Sequence, residues 1–327
     1  MLILTKQDVQ RALPMHRAIP CVGDAYRKYS SGQTQVPLRQ SLESERGTTL
    51  VMPAQITGEA AGVKVVSVYE DNPQQGLPAV LGAMLLLDID TGEQLALLEA
   101  SSLTAIRTGA SGGLAAKHLA RPESETAALF GAGVQGRTQL LALNEVLPLK
   151  QIRVYDLQLK KSERFISRIK REIGDDIEWT AVESPHLAVR NADVVVCATT
   201  SRQPVFDGSE LSPGTHVTGV GSYKPQMREI DSETLQCAER VVVDSRQACL
   251  EEAGDFIIPL ERGDLGKEVV EAEIGLVVAG QSPGRLNDEE ITVFKAVGLG
   301  VLDAAAACEA YRWAERNSVG TSINMRK

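Results

Sequence analysis

Thr126-Ala127-Ala128-Leu129-Phe130-Gly131-Ala132-Gly133-Val134-Gln135-Gly136 carries an apolar run of strand length straight into a G-x-G-x-x-G turn. A helical pattern follows, with Leu140, Leu143 and Leu147 at i, i+3, i+7 spacing. A turn so placed suits a dinucleotide. Gly131 permits the tight bend, Gly133 lets the backbone come close to a pyrophosphate, and Gly136 lets helix and strand pack closely. The anion then meets the N–H groups at the positive end of the helix. Alone, the glycine pattern is equally that of an ordinary turn. A second strand-like run, Gln151–Tyr155, ends in Asp156, twenty residues beyond Gly136. A carboxylate there can accept from both ribose hydroxyls of NAD(H) and repels the 2′-phosphate of NADP(H). Lys160 and Lys161 follow closely enough to reach such a phosphate. Strand, turn, helix and acid in this order predict a dinucleotide site that favours NAD(H) and leaves NADP(H) open.

The texture on either side of Thr126 differs. Before it come a short strand at Leu2–Leu4, a helix capped by Thr5 with Asp8 three residues on, and a helix over Met15–Tyr29. Strand-like runs follow at Thr48–Met52, Val63–Tyr69, Ala79–Ile89 and Gln94–Glu99, a meander that predicts a mixed or antiparallel sheet. Ser101 or Ser102 then caps a helix over Leu103–Leu119, and Arg121-Pro122 ends it. From Thr126 strands and helices alternate, the signature of a parallel, doubly wound sheet. Ile291–Gly298 is a last strand-like run, and an Ala-rich helix over Leu299–Arg316 closes the chain. At about 150 residues per domain, 327 residues make two. The fold class expected is therefore α/β: a Rossmann-type domain over 121–297, inserted in a second α/β domain made of 1–120 and 298–327.

The charge balance, 34 basic against 43 acidic residues for a net −9 without a basic run, argues against a nucleic-acid partner. No apolar run approaches the length of a membrane span, and Met1–Lys6 lacks the basic start of a signal peptide. Five cysteines without a C-x-x-C pair read as thiols in a reducing cytoplasm, with neither disulfides nor a metal site. There is no G-x-S-x-G, H-E-x-x-H or P-loop, and the four histidines stand singly. That leaves hydride transfer, where a cofactor supplies the reactive atom and the protein supplies position and charge.

Four stretches place polar residues in apolar surroundings. Lys64 interrupts Gly62–Val66, so it lies either at the open end of the sheet or in a pocket. Arg107 stands in the apolar helix and has the fork geometry that grips a carboxylate, although helix-surface arginines are commoner. Arg39 in Val36-Pro37-Leu38-Arg39 is a weaker candidate. Gly219–Pro225 forms a loop after a strand of the second domain, where loops face a cofactor crevice.

Gly62-Val63-Lys64, Leu103–Ser111, Gly131–Gln135, Val217–Asp231 and Phe294–Gly298 resemble the ornithine cyclodeaminase/mu-crystallin family over nearly the whole chain. The resemblance implies a homodimer joined through the substrate domains, here 1–120 with 298–327. It implies that Lys64 and Arg107, with Arg39 helping, hold a substrate carboxylate. The cofactor would be held by Gly131, Gly133, Val134, Gln135, Gly136 and Asp156, joined by Arg107, Thr108 and the backbone near Cys197–Thr199 and Val217–Val220. Ala296 and Val297 would lie near nicotinamide and substrate. The family includes cyclodeaminases, alanine dehydrogenases and ketimine or Δ1-pyrroline-2-carboxylate reductases. In the cyclodeaminases, and in the related alanine dehydrogenase, a catalytic aspartate occupies the position that, counting back from Pro225, is held here by Tyr223. Ring-closing deamination needs a tuned acid and base, and a phenol titrating near 10 is a poor base at neutral pH. Reduction of a cyclic ketimine makes fewer demands. The expectation is an NAD(P)H-dependent reductase of cyclic imino acids with Lys64 and Tyr223 at the chemistry. Ornithine cyclodeaminase, alanine dehydrogenase and a non-catalytic binding protein are the alternatives.

Overall fold

The computed structural model describes residues 1–69 and 71–325. Met1–Arg107 and the chain from Leu299 onward make one unit, and Thr108–Gly298 another. In chain order the first unit begins with β1 (Leu2–Leu4), α1 (Lys6–Ala12) and α2 (Met15–Ser30). It continues through β2 (Thr34–Gln35), β3 (Gln40–Ser44), β4 (Gly47–Ile56), β5 (Ala60–Val68), β6 (Val80–Leu87) and β7 (Gln94–Glu99) into α3 (Ala100–Leu119). The second unit holds β8 (Thr126–Phe130), α4 (Val134–Val146), β9 (Gln151–Tyr155), α5 (Leu159–Ile173), β10 (Glu178–Ala181) and α6 (Pro185–Val189). Then come β11 (Val194–Cys197), β12 (His216–Gly219), α7 (Ser232–Cys237), β13 (Arg240–Val243), α8 (Arg246–Glu252) and α9 (Gly254–Arg262). The remaining elements are β14 (Ala272–Glu273), α10 (Ile274–Val278), β15 (Thr292–Lys295), α11 (Gly300–Arg316) and β16 (Thr321–Ser322).

The first sheet runs β16-β1-β7-β6-β5-β4-β2, with β3 on β4. Its pairings are antiparallel except β1 with β7, so it is mixed. Alternation along β5 buries Ala60, Gly62, Lys64 and Val66 on the face covered by α11, while Val63 and Val65 look the other way. That second face is apolar and open: Val65 and Leu81 are exposed, and Val63, Leu85 and Leu97 are half-buried.

The second sheet, β10-β9-β8-β11-β12-β15-β13-β14, is parallel throughout. Its central strands are apolar on both faces. Ala128, Phe130, Val195, Val217 and Val241 pack into one core, and Ala127, Leu129, Ile152, Val154 and Val196 into the other. Strand order reverses between β8 and β11, which makes the carboxyl end of β8 the switch point where such sheets bind ligands.

Among the boundaries that differ from expectation, two bear on the site. α3 begins at Ala100, three residues early, because β7 runs directly into it. Glu99 caps the helix by accepting from the backbone N–H groups of Ser101 (2.8 Å) and Ser102 (3.0 Å), so neither serine is the cap. The unit boundary falls at Arg107/Thr108 inside that helix, and not at residue 120. Its second half belongs to the core of the dinucleotide-type unit. A Cβ on Gly109 would lie 2.5 Å from the Thr138 carbonyl, and Ala116 packs with Leu129 and Leu140.

Candidate active site

At the end of β8, Gly131 takes φ +102°, and a Cβ there would lie 2.5 Å from the Ala198 carbonyl oxygen. Both facts demand glycine. α4 starts at Val134 with Gly133 as N-cap, and no side chain caps its first turn. Nothing lies within 4 Å of where a Gly133 Cβ would stand. Bare donors with open space over them fit a pyrophosphate. Gly136 serves packing, since a Cβ there would sit 2.3 Å from the Gly131 oxygen. A cavity of about 450 Å³ opens here, lined by Gly131, Gly133, Val134, Gln135, Asp156 and Thr199 among others. Asp156 Oδ2 accepts from the Ala132 N–H at 3.0 Å and from Lys161 Nζ at 2.7 Å. The acid is thus fixed beside the turn, and its lysine neighbour is already engaged with it.

Behind the cavity lies a buried charge network that the sequence reading did not assign. Glu229 Oε1 accepts from the backbone N–H and hydroxyl of Thr199, and its Oε2 from the N–H groups of Gly221 (2.7 Å) and Ser222 (3.1 Å). Asp255 Oδ1 accepts from the N–H groups of Glu229 and Ile230. Lys295 Nζ donates to the Ser222 carbonyl (2.7 Å) and pairs with Asp255 (3.1 Å). Burial raises the Glu229 carboxyl above its ordinary range despite Lys295. Burial lowers the Lys295 ammonium, but Asp255 and Glu229 more than offset this and hold it above. The network ties the loops after β11 and β12 together, and so fixes the backbone on which Tyr223 sits. Tyr223 is half-buried against the core, with Lys224 Nζ 5.9 Å from its ring centroid. Asp244 does the same for the segment after β15, accepting from Val297 N–H (3.0 Å) and Gly298 N–H (2.7 Å).

In the first unit, Lys64 is buried and not at a solvent edge: it is 1 % exposed. Its Nζ donates to Asp303 Oδ2 at 2.6 Å and to Thr104 Oγ1 at 3.3 Å. Arg107 Nε donates to Asp303 Oδ1 at 3.1 Å, so one carboxylate on the first turn of α11 bridges both cations. Arg107 is likewise buried and not a surface arginine. Burial, reinforced by the charges of Arg107 and Arg39, outweighs Asp303 and lowers the Lys64 ammonium to about 8. Burial pushes the Asp303 carboxyl up, but Arg107 and Lys64 overcome it and hold it below the usual carboxylate range. Lys64 and Arg107 thus share one buried carboxylate, and two cationic donors side by side suit an anionic ligand.

The structure gathers Lys64, Arg107 and the influence of Arg39 at one place in the first unit. In the second it gathers Gly131, Gly133, Val134, Gln135, Asp156 and Thr199 around one cavity. Cys197 and Val217 are fully buried in the core, and Val220, Ala296 and Val297 nearly so. Among these, the Val220 N–H is bonded to the Cys197 carbonyl and the Ala296 N–H to the Gly219 carbonyl. Thr108 is buried with its carbonyl accepting from Gln139 Nε2 at 2.8 Å. Among the described residues there is no cluster able to hold a metal ion and no helix long and apolar enough to cross a membrane.

The family model of the ornithine cyclodeaminase/mu-crystallin family matches residues 1–317. A Delta(1)-pyrroline-2-carboxylate reductase of Bacillus cereus is 37 % identical over 326 residues, 99 % of each chain. The solved Delta(1)-pyrroline-2-carboxylate reductase of Thermococcus litoralis, in complex with NADH and L-proline, superposes with a TM-score of 0.94. It is 41 % identical and covers 99 % of this chain and 100 % of its own. An archaeal alanine dehydrogenase dimer with bound NAD gives a TM-score of 0.93 at 36 % identity, covering 99 % of each chain.

Proposed function

The chain belongs to the ornithine cyclodeaminase/mu-crystallin family, and we propose that within it the chain is an NAD(P)H-dependent reductase of cyclic ketimino acids. The preferred substrate is Δ1-pyrroline-2-carboxylate and the product L-proline. The observation that carries this reading is the buried Lys64–Asp303–Arg107 cluster, a cationic site for one carboxylate, in a chain 41 % identical to a pyrroline-2-carboxylate reductase.

Gly133, Val134 and Gln135 at the open start of α4 hold the pyrophosphate, and Asp156 accepts from the adenosine ribose, which favours NAD(H). When bound, the cofactor supplies the hydride that the chain itself cannot provide. Lys64 and Arg107, helped by Arg39, hold the substrate carboxylate and so fix which atom of the ring is presented. Tyr223 stands on a loop that Glu229 and Lys295 immobilise. With a phenol where a cyclodeaminase needs a carboxylate, expulsion of ammonia from ornithine is disfavoured.

The apolar outer face of the first sheet, with Val65 and Leu81 exposed, supports a homodimer formed there. The alanine dehydrogenase relative is itself a dimer. A reducing cytoplasm suits the five free cysteines.

The test is oxidation of NADH and NADPH by five- and six-membered cyclic imino acids, run beside ammonia release from ornithine with NAD+. Imine reduction without ammonia release supports the reading. Ammonia release without imine reduction overturns it.

A further inference from the structure

A carboxylate inside a site that receives a carboxylate works against binding, so Asp303 needs another reason to be there. Its side chain is 1 % exposed, and both oxygens are committed, Oδ2 to Lys64 and Oδ1 to Arg107. These three residues come from β5, α3 and α11, up to 239 positions apart in sequence. The groups that face Lys64 are Thr104 and Arg107 from α3, Arg39 from the segment before β3, and Asp303 from α11. Its cross-strand neighbours on β4 and β6 are Met52 and Met84. Among these described residues, Asp303 is the acid in direct contact with Lys64.

We propose that Asp303 is the positioning residue of the carboxylate site, holding Lys64 and Arg107 in the receiving geometry and keeping Lys64 protonated until the substrate arrives. The inference rests on the reductase reading only for the identity of the substrate. A buried lysine facing two other cations and no anion loses its proton. Lys64 already sits near 8 with Asp303 in place. Asparagine at 303 keeps one acceptor but turns an NH2 toward one of the two cations, and it removes the charge. Without that charge the Lys64 ammonium falls by a further 1–3 units or so, the usual effect of an opposite charge in contact. Glutamate keeps the charge and displaces it by a methylene.

The experiment measures kcat/KM for the five-membered imino acid against pH in wild type, Asp303→Asn and Asp303→Glu. It is paired with calorimetric titration of L-proline into the enzyme with NAD+. L-proline keeps its carboxylate charge across the range, and the imine's own ionisation is common to all three enzymes. In wild type, kcat/KM and proline affinity fall as pH rises through about 8. In Asp303→Asn the same limb lies about 1–3 units lower, KM rises more than kcat falls, and NADH affinity is unchanged. Asp303→Glu keeps the limb near its wild-type position with a raised KM. A uniform loss in Asp303→Asn with the limb unmoved overturns the proposal. If Asp303→Asn does not fold, Asp303→Glu decides, and a wild-type KM there overturns it. A wild-type chain that reduces no imine but binds L-proline with this limb, shifted in the variant, keeps the proposal and overturns the reductase reading.

Discussion

Replacing Asp156 by serine isolates the choice between the two nicotinamide cofactors. The Asp156 side chain is 10 % exposed, and its Oδ2 is held by the Ala132 N–H and by Lys161, whose own side chain is 53 % exposed. Loss of a bond to a charged acceptor costs about 1.5–3 kcal/mol, and that is the penalty NADH pays through its ribose hydroxyls. NADPH gains in the same variant. The carboxylate opposing its 2′-phosphate is gone, and Lys161, released from Asp156, becomes a cation for that phosphate. At an exposed site this pairing contributes about 0.2–1 kcal/mol. Together the two effects lower the preference for NADH over NADPH by about 1.7–4 kcal/mol, or roughly 20- to 900-fold. The assay is the ratio of kcat/KM for the two cofactors at saturating imine, followed at low and high ionic strength. The NADPH gain should shrink with salt and the NADH loss should not. An equal loss with both cofactors would show that Asp156 serves only to anchor the turn through Ala132, and an unchanged ratio would mean that it does not face the ribose.

Lys64→Ala should lower kcat/KM for the imine by roughly ten- to a hundred-fold while NADH affinity, read by fluorescence titration, stays as in wild type; parallel loss of both would make Lys64 purely structural. Because that variant breaks a buried pair, its melting temperature should also fall, in line with the roughly 3–5 kcal/mol such losses cost. Tyr223→Phe should keep imine reduction to within about tenfold, or about 1.4 kcal/mol of barrier. Abolished turnover with intact NADH and L-proline binding would make the phenol the proton donor. Leu81→Lys, on the open sheet face, should give monomers in sedimentation, and an unchanged dimer would place the interface elsewhere.

Much of this architecture is legible along the chain because it is local. The strand, glycine turn, helix and Asp156 lie within one stretch, and each has a requirement that a single residue type meets. Lys64 and Arg107 stand out because a charge in an apolar run must find a partner. What that partner is does not follow. Asp303 stands in an Ala-rich helix at the far end of the chain, and only folding reveals that it bridges the two cations. Lys295 carries the same signal as Lys64, a charge within the buried run Ile291–Gly298, yet its partners Asp255 and Ser222 lie in separate segments. The unit boundary inside α3 leaves no mark because nothing breaks the helix: its Gly and Ala residues are small for close packing, not for bending. β3 leaves no periodic mark in the sequence because Gln40–Ser44 is exposed throughout and lacks an apolar face to alternate with.

Transfer of label from NADH carrying deuterium at the reactive C4 position tests the central claim most directly. With Δ1-pyrroline-2-carboxylate as acceptor, mass spectrometry and proton NMR should find one deuterium in the product L-proline, at the α-carbon next to the carboxylate, with one L-proline formed per NADH consumed. L-proline formed without α-deuterium, or labelled NADH left unconsumed while ornithine releases ammonia, would contradict the account.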